Sequence, residues 1–163
     1  MSRSAVLAKV VSVLEGITID GGYSTDAGKN VFYLGKILNE GTNTEFEWNL
    51  DTIQDEQYPC ILVLEGDRSY DIDSRPNAHY QKLQVDINIY AAPGAGISDV
   101  RKMMADVYKA IRLSENLMLA ELGLVRMTPV ADKLSVFGEE GGRIDGCQVV
   151  IDFEWTSSRW TME

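Results

Sequence analysis

Apolar residues recur along the chain at two spacings, and these divide it into helices and strands. After Ser4, a residue type that caps helix N-termini, Val6, Leu7, Val10, Val13 and Leu14 follow a helical period, and Gly16 stands where a helix would stop. A first helix is expected from Ser4 to Glu15; its valines would suit a strand, but strict alternation is absent. A second helix is expected from Ser98 to Leu113, capped by Ser98-Asp99, with Val100, Met103, Met104, Val107 and Ile111 on one stripe. The Met103-Met104 pair reads as core filler there, since methionine fits irregular gaps.

The strands show the other period. Leu83, Val85, Ile87 and Ile89 alternate with Lys82, Gln84, Asp86 and Asn88, the pattern of a half-buried antiparallel strand over Gln81 to Tyr90. Cys147, Val149, Ile151, Phe153 and Trp155 alternate in the same way, and an extended run from Met127 to Phe137 precedes them across the turn Gly138-Glu139-Glu140-Gly141-Gly142. Tyr58-Pro59 opens a continuous apolar run, Cys60 to Leu64, that suits a strand covered on both faces and ends at Glu65-Gly66. A polar loop is expected from Asp67 to Ala78. Residues 16–57, broken by several glycines, read as a long extended arm with one short β-like run, Asn30 to Ile37. The expected fold class is α+β: an antiparallel sheet of about four main strands, two helices packed on one face, and the arm, all in a single domain over residues 1–163.

Charge and composition narrow the chemistry. Against 15 Lys and Arg stand 25 Asp and Glu, a net charge of -10, which argues against tracking nucleic-acid phosphates. One histidine, His79, and two cysteines, Cys60 and Cys147, are too few for a zinc finger or a disulfide framework. Both cysteines sit in apolar runs and read as buried thiols, a pairing between them being left open. No run of about eighteen apolar residues occurs, and Lys9 and Ser12 interrupt the first apolar stretch, so a soluble protein of a reducing compartment is expected.

No enzyme or cofactor motif survives inspection. Gly94-Ala95-Gly96 before a helix lacks the third glycine of a dinucleotide loop, and Asp99 would repel a pyrophosphate there. Gly28-Lys29 lacks the glycine spacing and the hydroxyl residue of a phosphate-binding loop. Asp67, Asp71 and Asp73, with His79 nearby, are the one set that a small metal-dependent hydrolase could use, although the glycine and closing glutamate of a calcium loop are missing. Neither a catalytic residue, a cofactor nor a metal is assigned. Interface candidates stand out instead: Phe46 and Trp48, which alternate with Glu45 and Glu47 in the arm, and Trp160 in the polar tail, where a tryptophan calls for a covering surface. A generic module that binds proteins by pairing its sheet edge with a partner strand is a further reading.

The ordered set of an N-terminal helix, Tyr58-Pro59-Cys60-Ile61-Leu62-Val63 followed by Glu65-Gly66-Asp67, a strand Gln81 to Tyr90, a helix after Ser98 and a closing strand Cys147 to Trp155 resembles tail terminator proteins of long-tailed bacteriophages. Related neck and tail-completion proteins share this architecture. The resemblance implies a non-enzymatic structural protein of the virion, placed at the head-proximal end of the tail. It implies a ring homo-oligomer, usually a hexamer, that caps the tail tube, ends its polymerisation and meets the head-tail connector proteins. DNA would pass through the lumen without specific binding, and the net negative charge would suit a wall that repels phosphates. The acidic arm from Gly35 to Gln57 is long for that family's pattern.

Overall fold

The computed structural model describes residues 3–34, 37–38, 45–46, 55–71, 78–137 and 144–158. In chain order the elements are helix α1 (Arg3–Glu15), strands β1 (Val31–Leu34), β2 (Ile37–Leu38), β3 (Glu45–Phe46), β4 (Cys60–Asp71) and β5 (Ala78–Tyr90), helix α2 (Ile97–Leu122), and strands β6 (Arg126–Phe137) and β7 (Ile144–Ser158). Five strands form one sheet in the order β1-β4-β5-β7-β6, and β2 pairs with β3 in a separate two-stranded ribbon. The fold is α+β, with a mixed sheet and two helices.

The alternating residues of β5 and β7 set the core. In the antiparallel register Leu83 faces Phe153, Val85 faces Ile151, Ile87 faces Val149 and Ile89 faces Cys147. All eight are buried, so β5 and β7 share an apolar surface along this stretch. Ile61 and Val63 extend that face onto β4, opposite Ile89 and Ile87. Val6, Leu7, Val10 and Leu14 of α1 and Val100, Met103, Val107, Ala110, Ile111 and Met118 of α2 belong to the same apolar cluster. Met104, half-buried, packs against it. Burying a side chain of this size is worth about 1.5–3 kcal/mol, so the stacked layer is the main source of stability.

Several expectations need correction. The sheet has a fifth strand and is not wholly antiparallel, because β1 lies parallel to β4 with Val31 opposite Ile61 and Leu34 opposite Leu64. The first half of the expected arm is therefore part of the core: Ile17 and Ala27 are fully buried, and Ile61 N–H donates to the Asn30 carbonyl at 2.8 Å. Gly28 is not a simple breaker, since a Cβ there would overlap the Leu14 carbonyl oxygen at the end of α1. Helix α1 begins at Arg3, so Ser4 sits inside its first turn.

Strand β4 continues through Asp67 to Asp71, where a polar loop was expected. A register shift between Glu65 and Arg68 lets the strand stay paired with β5 beyond the apolar run. Helix α2 starts after Gly96, with no side-chain cap from Ser98 or Asp99, and runs nine residues past Leu113. Met118 and the partly buried Leu119 and Leu122 keep it on the core, and Gly123 ends it with a left-handed φ of 58°. The Gly138 to Gly142 turn lies outside the described residues.

Candidate functional site

The residues singled out from the sequence do not converge. Phe46 closes the short strand β3, opposite Ile37. Trp48 and Trp160 lie outside the described residues. Asp67 and Asp71 belong to strand β4, Asp73 lies outside the described residues, and His79 is half-buried in β5 beside Tyr80, the register partner of Asp71. The His79 Nδ1 is buried and has no hydrogen-bond partner among the described residues. No three His, Cys, Asp or Glu side chains gather into a metal-holding group among the described residues. No helix among them is long and apolar enough to cross a membrane.

Cys60 and Cys147 are free thiols. Because Ile61, Ile89 and Cys147 share one face of the sheet, Cys60 lies on the other, and a bond between the two is sterically closed. Burial pushes each thiol up to about 12, which leaves them protonated and unreactive at neutral pH.

Two polar arrangements went unseen in the sequence. Asp106 lies on the buried stripe of α2 and is itself buried. Its carboxylate accepts from the Ser24 backbone N–H at 3.1 Å and the Thr25 hydroxyl at 2.7 Å. It thereby fastens the segment between α1 and β1 onto α2. On the sheet face away from the helices, Asp152 and Glu154 are buried despite facing outward in the alternation. Lys82 reaches Asp152 at 2.6 Å, and Arg126 chelates Glu154 at 2.9–3.1 Å. These carboxylates push the Lys82 and Arg126 pKa values up through hydrogen bonding and charge. At the other end of that face Tyr58, Cys60, Leu62 and Tyr90 form a second apolar cluster.

Further surface lies at the two ends of the described sheet. Strand β6 pairs with β7 on one side only, and among the described residues no strand pairs with its other edge. It is blunted as edge strands are, by Pro129, by a register shift between Pro129 and Ala131, and by Lys133. Yet Val130 is 50% exposed and Leu134 38%. Beside it, between α2 and the sheet, runs an apolar groove of about 260 Å³ lined by Tyr108, Ile111, Met127, Pro129 and Ile151, with Arg112 and Glu115 on its rim. The Tyr108 hydroxyl donates to Asp132 at 3.0 Å and ties α2 to this strand. Burial and the Asp132 carboxylate together push the Tyr108 phenol up to about 12.

The far edge repeats the arrangement. Strand β1 pairs with β4 alone in the five-stranded sheet, and a groove of about 350 Å³ lies between it and α1, lined by Ser4, Leu7, Ala8, Val11 and Tyr33. The candidate site is therefore a pair of surfaces at opposite ends of the described sheet, each combining an end strand with an apolar groove on the helix-bearing side. Such surfaces suit protein contacts, where backbone pairing and apolar burial act together. No family model matches the chain, and no curated protein matches it in sequence.

Proposed function

We propose that this chain is a structural ring subunit of the tail-terminator kind, which caps a phage tail tube, ends tube polymerisation and presents a surface to the head-tail connector proteins. The observation that carries this reading is the sheet with an apolar groove beside the end strand at each of its two ends. A subunit whose two contact surfaces are different patches joins its copies head to tail, and such contacts close into a ring when the rotation permits. The tail-specific part of the reading rests on the order of helix, Tyr58-Pro59 strand entry, paired strands, helix and closing strand, which resembles that family. The formal charge of -10 supports a lumen that passes DNA without holding it.

The test is to mix the purified protein with polymerising tail-tube protein. Electron microscopy should show rings, six-membered in this reading, seated on tube ends, with shortened tubes. Light scattering should show a lower ring mass when Phe46→Ser and Trp48→Ser are introduced together. A protein that stays monomeric and leaves tube lengths unchanged would overturn the proposal.

A further inference from the structure

We propose that the solvent side of α2 is a docking surface for the acidic segment 39–57 of a second copy of this chain, with cations and leucines on one partner meeting carboxylates and aromatic side chains on the other. The proposal rests on the ring reading and names one contact between its subunits.

The chain carries a net charge of -10, yet the outer side of α2 is cationic. Arg101, Lys102, Lys109 and Arg112 are all exposed and fall on the side of the helix opposite its buried stripe. The acids of the helix lie elsewhere: Asp106 is buried, Glu115 stands on the rim of the groove beside β6, and Glu121 is taken by Lys9 at 2.5 Å. Asp99, in the first turn, reaches Lys102 at 3.6 Å. Lys109 donates to the Gly22 carbonyl at 2.7 Å, a neutral partner that leaves its charge uncompensated. Arg101 and Arg112 have no carboxylate partner among the described residues. Such a row attracts an anionic partner.

The row continues into apolar surface. Leu113 and Leu117, one turn apart, are 69% and 52% exposed, and from Arg101 to Leu117 the surface is about 24 Å long. Leucines add nothing to a contact with phosphates, whereas they add burial to a contact with an acidic polypeptide that carries apolar side chains of its own. Residues 39–57 have that chemistry: six Asp and Glu, no Lys or Arg, and Phe46, Trp48 and Leu50 among them.

The two flanks of this segment are held at the β1 end of the sheet. Leu34 pairs with Leu64, and the Gln57 carbonyl accepts from the Asn30 side chain at 2.8 Å. Helix α1 packs against β1 and β4 and also against α2, so it stands between those flanks and the outer side of α2 in the same chain. The α2 of a neighbouring copy is not screened in this way. Segment and α2 face are different patches, as a head-to-tail contact requires.

Charge reversal tests the contact one side at a time. Arg101→Glu with Arg112→Glu makes the α2 face acidic, and Glu45→Lys with Glu47→Lys makes the segment basic. Each double variant alone should lower the ring population seen by light scattering about tenfold or more, since like charges then meet. The second variant is nearer neutrality than the parent, so its loss of assembly is not overall repulsion. In an equimolar mixture each variant meets an opposite charge on the other, and the ring population should return to within about twofold of the parent's. Parental assembly by either variant alone, in a chain that forms rings, would overturn the inference and leave the ring reading intact. So would a mixture that fails to recover, because the segment would then act within its own chain. A short DNA duplex bound by the parent and released by the Arg101→Glu, Arg112→Glu variant would assign the face to nucleic acid and equally overturn it. Absence of rings for the unmodified chain, with or without tube protein, would instead remove the reading beneath it.

Discussion

Strands β7 and β6 are neighbours of similar length, 15 and 12 residues, yet they carry opposite burdens. Every residue of β7 from Asp145 to Trp155 is buried except Gln148, which is half-buried, and the strand has a ladder on each side. On β6, of the side chains from Arg126 to Leu134, only Met127 is buried, and among the described residues only one edge is paired. The middle of the sheet holds the chain together; its end strands carry exposed apolar side chains such as Val130 and Leu134. A fold whose stability is concentrated in the centre can leave its perimeter to partners, because contacts at the rim contribute little to the isolated chain.

The strongest way to sharpen this contrast is Phe153→Ala. Phe153 is fully buried in the middle of β7 and faces Leu83 on one side and Met127 on the other. Truncation removes its burial and leaves a cavity in a layer clamped by two helices, with an expected loss of about 3–5 kcal/mol by chemical denaturation. A loss below about 1 kcal/mol would mean that the core is not centred on β7 and that the contrast between the two strands is false.

Next in size is Asp106→Ala, which probes whether the segment between α1 and β1 belongs with the stable centre or the permissive edge. The substitution leaves the Ser24 N–H and Thr25 hydroxyl without their acceptor. An expected loss of about 1–3 kcal/mol follows if that segment is integral to the fold. Hydrogen exchange at the Ser24 amide should accelerate ahead of global unfolding. Unchanged exchange would show that water replaces the carboxylate without loss, and would move the segment to the edge side of the comparison.

The elements that were legible in the sequence are those whose burial follows from local alternation. Leu83, Val85, Ile87 and Ile89, and likewise Cys147 to Trp155, have the period-two pattern of strands with one apolar face, and the structure buries all of them. Strand β1 was not legible as part of the sheet because a parallel pairing between residues about thirty positions apart leaves no local mark. The polar end of β4 was hidden for a related reason: Arg68 to Asp71 stay extended through pairing with β5, although their composition favours a turn. Helix α2 outran its expected end because Met118, Leu119 and Leu122 continue the buried stripe up to Gly123, a stop signal ten residues beyond Leu113. Asp106 gave no warning, since its partners lie more than eighty residues earlier. Of the interface candidates, only the backbone of Phe46 falls within the described residues, whereas the identity of the end strands emerges from strand order, which no short pattern encodes.

The smallest expected effect on stability is also the one that bears most directly on the perimeter. Val130 is half-exposed on β6, and replacing it with lysine puts a charge on that end strand, the device by which edge strands commonly resist pairing. Because Val130 contributes little buried area to the isolated chain, Val130→Lys should change subunit stability by no more than about 0.5 kcal/mol. Leu134→Lys, four residues along the same strand, should behave alike. Both should nevertheless lower the assembled fraction seen by light scattering at a given concentration, since a lysine forced into a contact beside the apolar groove must be desolvated without a partner. A variant that loses several kcal/mol in the monomer would place β6 with the core; one that assembles as the parent does would remove this edge from the contact. Only stability retained together with assembly lost fits a molecule divided between a self-sufficient centre and a rim built for its neighbours.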